Sequence, residues 1–307
     1  MKILLLGYSN LAKRRIIPAL KKIKSLRFDI ASVSSTPINN GHKVWYNNYT
    51  EALNKSDADV VYISLVNSMH FYFANKAISL GKHVIVDKPL ALNNTQILKL
   101  IDSAKKKKIL LAEALTFNYH KQFSYLQNVI KRNNPITNII MKFNIPKPRI
   151  HDTKLSNKLG GGCFNDMMSY ASEINRIFLK NNISIKSFIH TYKNKMSNSF
   201  SINTLNKKIE FYGFFSHNTE YENSITLSST DYSIRLDRFC APPPVNNLFV
   251  RFQKKNNTKI IKIKKDDIFK NFLNEYLMKL KKKKFNYYHN KILFNSRFKL
   301  NLIKNYR

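Results

Sequence analysis

Apolar residues in the first third of the chain come in short runs separated by helix-spaced segments. Ile3–Leu6, Phe28–Val33, Val60–Leu65, Val84–Val86 and Ile109–Ala112 are too short for helices, and most are rich in β-branched residues. That is the mark of strands buried on both faces. Between them, Leu11 to Ile23 and Gln96 to Ala104 repeat apolar residues at helical spacing, as in Ile97, Leu98, Ile101 and Ala104. Asn93 or Asn94 suits an N-cap, and Gly81 suits the stop of a helix just before Val84. Strand and helix alternating in this way predict parallel βαβ winding, a Rossmann-type, doubly wound α/β domain over residues 1–120.

Beyond residue 180 the period falls to two. It is clearest in Ile225 and Leu227, then Tyr232, Ile234 and Leu236, around the turn residues Ser228 to Asp231. Similar runs at Ile185–Tyr192, Ile209–Phe215, Leu248–Phe252 and Ile260–Ile263 predict an open, mainly antiparallel sheet. Leu159 to Leu179 and segments near 266–280 and 291–304 read as helices. Residues 121–307 are thus expected to form an α+β domain for substrate binding and oligomerisation, its last helix placed to pack back on the first domain. An open sheet with one bare face calls for a partner, so a homo-oligomer through that sheet is expected.

Composition narrows this picture only a little. A chain of 307 residues that is 43% hydrophobic can bury two cores. The net charge of +35 would attract nucleic acid, anionic lipid or phosphorylated small molecules. It is spread throughout, however: residues 1–120 carry 18 Lys and Arg against 7 acids, and the remainder 35 against 11. The abundance of Lys, Asn and Ile fits a coding bias as well as a binding surface. Nothing resembles a helix-turn-helix or an RNA-binding aromatic motif, so no nucleic-acid partner is expected. Two cysteines support neither a disulfide framework nor a four-ligand zinc site, and no metal is expected. The opening apolar run stops at Gly7, and no 18-residue apolar stretch follows. A cytoplasmic protein away from the membrane is expected.

Two strand ends hold candidate chemistry. The first βα turn, Gly7-Tyr8-Ser9-Asn10-Leu11-Ala12, keeps one glycine of a dinucleotide fingerprint, with Ser9 and Ala12 small enough to stand at the other two positions. An ordinary βα turn would look similar. The second is "KHVIVDKPLA", where a buried strand ends on Asp87, Lys88 and Pro89. Open α/β sheets bind ligands at the carboxyl ends of their strands, which is where Lys88 falls. Asp87 can anchor the turn and Pro89 fixes the backbone after the lysine. Asn67, His70 and Glu113 end or follow neighbouring strands. Asn67 and His70 equally suit a helix cap and a packed imidazole.

The segment "YISLVNSMHFYFANKAISLGKHVIVDKPLAL" resembles the Gfo/Idh/MocA oxidoreductase family, named for glucose-fructose oxidoreductase and inositol dehydrogenase. Its members show an N-x-x-H turn and an E-K-P turn at these places. "EALTFNYHKQ", residues 113–122, is similar to the family's E-A-x-x-x-R-x-H segment, with Asn118 where arginine is common. Gly160-Gly161-Gly162 followed by Asp166 and Tyr170 matches G-G-G-x-x-x-D-x-x-x-H/Y. The resemblance implies a nicotinamide cofactor on the first domain, contacted by Gly7, Ser9, Asn10, Leu11, Asn67, His70, Asp87, Lys88, Pro89 and Glu113. It also implies a sugar-like small-molecule substrate held between the domains, with Lys88, Asp166 and Tyr170 as catalytic residues.

NADP is expected over NAD. An acid after the second strand would bind the adenosine ribose hydroxyls, and this chain has Ser34-Ser35-Thr36 there, with Arg14 and Arg15 able to meet a 2′-phosphate. The function expected is hydride transfer between nicotinamide and a hydroxyl or keto carbon of a sugar or nucleotide-linked sugar. The rival is a catalytically inactive or basic binding protein that retains the fold, favoured by Asn118 and the lost glycines.

Overall fold

A computed structural model describes residues 1–33, 41, 44–149, 152–193 and 195–305. The chain folds as two compact units: residues 1–115 with 269–296, and residues 116–268 with 297–307.

The first unit is a six-stranded parallel sheet. Its strands are β1 (Lys2–Leu6), β2 (Arg27–Ala31), β3 (Trp45–Tyr46), β4 (Val60–Ile63), β5 (His83–Asp87) and β6 (Leu111–Ala114), in the order β3-β2-β1-β4-β5-β6. Ile3, Leu4, Leu5 and Leu6 have no exposed surface, and neither do Val60, Val61 and Ile63 or Val84, Ile85 and Val86. Burying every residue of a run requires cover on both faces, which parallel winding supplies. Each such side chain contributes about 1.5–3 kcal/mol, enough to fix the strand.

The helices of this unit start with a wide π turn at Ala12–Ile16 that passes into α1 (Ile17–Lys21), where a uniform helix to Ile23 was expected. They continue with α2 (Tyr49–Lys55), α3 (Asn67–Ser79) and α4 (Asn94–Lys106). Asn93 caps α4 by accepting from the Gln96 amide at 2.9 Å, and Gly81 (φ +76°) terminates α3. The second strand ends at Ala31, two residues short of expectation, and Val33 is exposed in a bend. The last strand is displaced from 109–112 to Leu111–Ala114, so Glu113 lies within it.

The second unit contains α5 (Lys121–Arg132), α6 (Cys163–Ile174) and an eight-stranded sheet. Its strands are β7 (Ile136–Asn144), β8 (Ser184–Lys193), β9 (Met196–Leu205), β10 (Glu210–Ser216), β11 (Glu222–Ser229), β12 (Tyr232–Asp237), β13 (Leu248–Lys254) and β14 (Asn257–Ile263). The order is β14-β13-β12-β11-β7-β10-β9-β8, antiparallel except where β10 runs parallel to β7. The inner face carries Met141, Phe200, Ile202, Phe211, Phe215, Ile225 and Leu236, all fully buried or nearly so, with Phe200 and Phe215 stacked at 4.6 Å. Helix α6 lies on β9 and β10. It starts at Cys163 and not at Leu159, because Gly160 (φ +77°) and Gly162 (φ +93°) leave the right-handed helical region. Two further helices, α7 (Ile268–Lys281) and α8 (His289–Asn305), complete the chain. Within the first unit, the buried Tyr276 hydroxyl donates to the Leu110 carbonyl at 2.8 Å and ties α7 to β6.

Candidate functional site

In the first unit, three adjacent strand ends are joined by side-chain hydrogen bonds. Gly7 follows β1 with φ +103°, and its amide donates to the Ala31 carbonyl at 2.9 Å. A Cβ there would lie 2.2 Å from the Ser64 carbonyl oxygen, so only glycine fits the turn. Ser9 turns inward. Its Oγ accepts from the Ala12 amide at 3.0 Å and lies 2.9 Å from Ser64 Oγ. Ser64 in turn bonds the Asp87 carboxyl, which also accepts from the Tyr62 hydroxyl at 3.0 Å.

The acceptor at the end of this chain fixes its direction. An ionised carboxylate donates nothing, so Ser64 gives its one proton to Asp87 and must accept from Ser9. Burial pushes the Tyr62 phenol well above its ordinary pKa, which keeps it a donor to Asp87. Burial likewise raises the Asp87 carboxyl, partly offset by Ser64, His70, Tyr62 and Lys88. With its hydroxyl committed inward, Ser9 leaves the outer edge of the turn, where Asn10 and Leu11 are exposed, to its backbone.

The residues after Asp87 are held from two sides. His70 has no exposed surface and places Nδ1 2.7 Å from the Pro89 carbonyl and Nε2 3.0 Å from the Leu65 carbonyl. Both ring nitrogens are thus taken up by backbone, and the imidazole links the turn after β4 to the one after β5. Glu113 reaches over from β6, where Oε1 accepts from the Leu90 amide at 3.1 Å. Lys88, half-buried, enters a cis bond to Pro89 between these fixed points. Asn67 is the first residue of α3 and half-buried.

Arg14 is exposed on the first helix, and Arg15 lies over the Phe269 ring at 5.2 Å. Ser34, Ser35 and Thr36 fall outside the described residues.

The second unit presents Asp166 in the first turn of α6 and Tyr170 one turn later, on the same face. The Tyr170 ring packs against Phe143 at 5.2 Å and Phe117 at 6.1 Å. Asp166 Oδ2 is 3.1 Å from Nε2 of His217, a residue the motif reading did not single out. The signal for it was parity: Phe211, Gly213 and Phe215 point inward along β10, and His217 continues that face. Among the described residues, no group of three or more His, Cys, Asp or Glu could hold a metal ion, and no helix is long and apolar enough to cross a membrane.

A turn that admits only glycine and opens onto a helix, on the same sheet edge as a lysine two strands away, fits a dinucleotide, the signature of a nicotinamide oxidoreductase. Residues 1–115 match the model of the Gfo/Idh/MocA family, described as an oxidoreductase family with an NAD-binding Rossmann fold. The match covers the parallel sheet of the first unit.

It is similar to a dTDP-3,4-didehydro-2,6-dideoxy-alpha-D-glucose 3-reductase of Saccharopolyspora spinosa, 24% identical over 270 residues that cover 83% of this chain and 80% of that one. Among solved structures, it superposes on a tyrosine-to-phenylalanine mutant of KijD10, a 3-ketoreductase from Actinomadura kijaniata in complex with TDP-benzene and NADP. The TM-score is 0.91 at 18% identity, covering 99% of this chain and 97% of that one. It also superposes on the aldose-aldose oxidoreductase of Caulobacter crescentus, with TM-score 0.84 at 14% identity, covering 99% and 96%.

Proposed function

We propose that this protein is a cytosolic NADPH-dependent reductase of a keto carbon on a nucleotide-linked sugar. The observation that carries the reading is Lys88 at the carboxyl end of β5, in a turn held by Asp87, His70 and Glu113 on the same sheet edge as a glycine-only turn. The 3-reductase and KijD10 likenesses support the substrate class.

When bound, the cofactor supplies the hydride. The chain's own residues do the rest. The outer backbone of the Gly7–Leu11 turn receives the pyrophosphate, and Lys88 places a cation beside the reacting carbonyl. Tyr170 gives a proton to the carbonyl oxygen as it becomes a hydroxyl. A free phenol has a pKa near about 10, so it holds its proton at neutral pH and needs help to release it. A cation close to the phenol would lower that pKa. The preference for the 2′-phosphate comes from Ser34 to Thr36, which carry no acid, and from Arg14.

A turnover screen of the purified protein with NADPH and NADH, over keto-sugars with and without a nucleotide, tests this reading. NADPH oxidation with a nucleotide-linked keto-sugar is expected, with tighter NADPH than NADH binding by cofactor fluorescence. Ser35→Asp should reverse the cofactor order. NADH ahead by tenfold in the unaltered protein would overturn the 2′-phosphate assignment. Cofactor binding without turnover of any keto-sugar would favour a binding protein on the same fold.

A further inference from the structure

We infer that Ser197, on β9, is a positioning residue that caps helix α6 from outside the helix, with His190 of β8 holding its hydroxyl, and so fixes the turn that carries Asp166 and Tyr170. The inference rests on the reductase reading for what Tyr170 does; the cap stands on the second unit alone. A helix leaves its first amides without partners, and the N-cap side chain ordinarily accepts from the second or third of them. At α6 the N-cap is Gly162, which has no side chain to offer. Its φ of +93° and ψ of 149° lie in a region essentially closed to other residues, and an added Cβ would come within 3.2 Å of Ser197 Cβ. The cap comes from that neighbour: Ser197 Oγ accepts from the Phe164 amide, the second of α6, at 2.9 Å.

A serine faces α6 here because β9 carries one extra residue. Phe200, Ile202 and Thr204 are the buried side of the strand, and unbroken alternation would turn Ser197 away from them. Pairing with β8 shifts between Thr191, opposite Ser199, and Tyr192, opposite Ser197, so Asn198 is a bulge that returns Ser197 to the buried side. His190, opposite Phe200, shares that face. Its Nε2 lies 2.7 Å from Ser197 Oγ and its Nδ1 2.8 Å from the Tyr192 hydroxyl, while its ring packs on Phe164 at 5.1 Å. Burial lowers the imidazole pKa to about 4, so at neutral pH the ring puts no cation at the positive end of the α6 dipole. In either neutral tautomer one ring nitrogen donates and the other accepts, and each hydroxyl can do the reverse. Ser197 thus keeps a lone pair for the Phe164 amide whichever nitrogen carries the proton. The Asp166 amide donates to the Gly162 carbonyl at 3.1 Å and closes the first turn, so a turn loosened at Phe164 shifts Asp166 directly and Tyr170 through it.

The test uses the full-length protein with NADPH and a nucleotide-linked keto-sugar. Ser197→Ala should lower kcat about 30-fold with NADPH affinity unchanged, within the roughly 10²-fold that a displacement of about 1 Å can cost. In a Tyr170→Phe background the same change should cost less than about threefold, because the hydroxyl it places is already gone. His190→Phe keeps the ring and loses the nitrogens, and it should follow Ser197→Ala. His190→Gln has an amide that can donate or accept, and it should recover most of the loss. Equal losses with and without the Tyr170 hydroxyl, full kcat in His190→Phe, or no recovery in His190→Gln would overturn the inference. If the unaltered protein reduces no keto-sugar, or Tyr170→Phe turns over normally, the reductase reading or its proton donor fails, and amide hydrogen exchange decides the cap. Exchange at Phe164 about tenfold faster in Ser197→Ala supports it, and an unchanged rate overturns it.

Discussion

The strand ends of the first unit and the helix face of the second hold their polar groups by different means. Around Lys88, the neighbours are fixed by a chain of hydrogen bonds that crosses three strands, Ser9 to Ser64 to Asp87, with Tyr62, His70 and Glu113 tying in the flanks. Around Tyr170, Phe117 and Phe143 lie against the ring, and a polar link joins His217 to Asp166 one turn earlier. A polar network is directional, so removing one member leaves a buried partner unsatisfied. An aromatic cluster is not, so a hydroxyl can be removed from its edge with little loss of packing. The first region should therefore couple function to stability more strongly than the second, except at the side chains that do the chemistry.

The largest effect should come from Lys88→Ala. The turn on which it sits is held by Asp87, His70 and Glu113. Stability should change by less than about 1 kcal/mol, and kcat/KM should fall by about 10⁴. Thermal denaturation beside steady-state NADPH oxidation measures both. Normal turnover would return Lys88 to the role of a surface lysine.

Tyr170→Phe comes next, with kcat expected to fall by about 10³ and cofactor affinity unchanged, since proton transfer by a positioned side chain contributes about 10²–10⁴. The ring contacts survive, so the melting temperature should stay near that of the parent. Full kcat with an unchanged alkaline limb of the pH profile would remove Tyr170 from the mechanism and leave the proton to Lys88.

The sequence pointed to these two residues by different routes: Lys88 ends a strand too apolar to be half-exposed, and Tyr170 came from the resemblance of Gly160-Gly161-Gly162, Asp166 and Tyr170 to the family's motif. The parallel sheet was legible for the same reason as Lys88, since burial on both faces leaves continuous runs. The second unit was less so. In β9, only Phe200, Ile202 and Thr204 face inward, and the Ser and Asn residues between them read as loop. β7 and α5 went unremarked as well. The partners of the site were hidden for another reason. Ser64, Tyr62 and His217 belong to no motif, and their bonds to Asp87 and Asp166 join residues 23, 25 and 51 positions apart. Sequence spacing carries no trace of such contacts.

His70 separates the two regions further. Replacing it with Ala would leave the Pro89 and Leu65 carbonyls without their partner and open a buried void, at a cost of about 2–4 kcal/mol. NADPH affinity should fall with it, because the turn that presents Lys88 loses its anchor. Urea denaturation and fluorescence titration of the same variant check the pair. A large loss of stability with unchanged cofactor affinity would show that the clamp supports the fold alone.

The smallest effect expected is at Asp87, and its sign can be worked out. Burial raises the carboxyl above its ordinary pKa more than its hydrogen bonds lower it, so the folded state holds this proton more tightly than the unfolded chain does. A raised pKa contributes stability below the unfolded value of about 3.9, and that contribution disappears as pH climbs through the folded value. Asp87→Asn removes the titration and keeps an oxygen that can accept from Tyr62 or Ser64. The extra amide donor adds an offset that does not vary with pH, so the test lies in the slope. The stability of the Asn variant relative to the parent should rise from pH 4 to pH 7, by at most about 1.4 kcal/mol per pH unit, the limit for one proton. Chemical denaturation of both proteins at a series of pH values gives this difference directly. A relative stability that falls with rising pH would mean that the bonds from Tyr62 and Ser64, together with the charges of His70 and Lys88, outweigh burial and lower the Asp87 pKa in the folded protein.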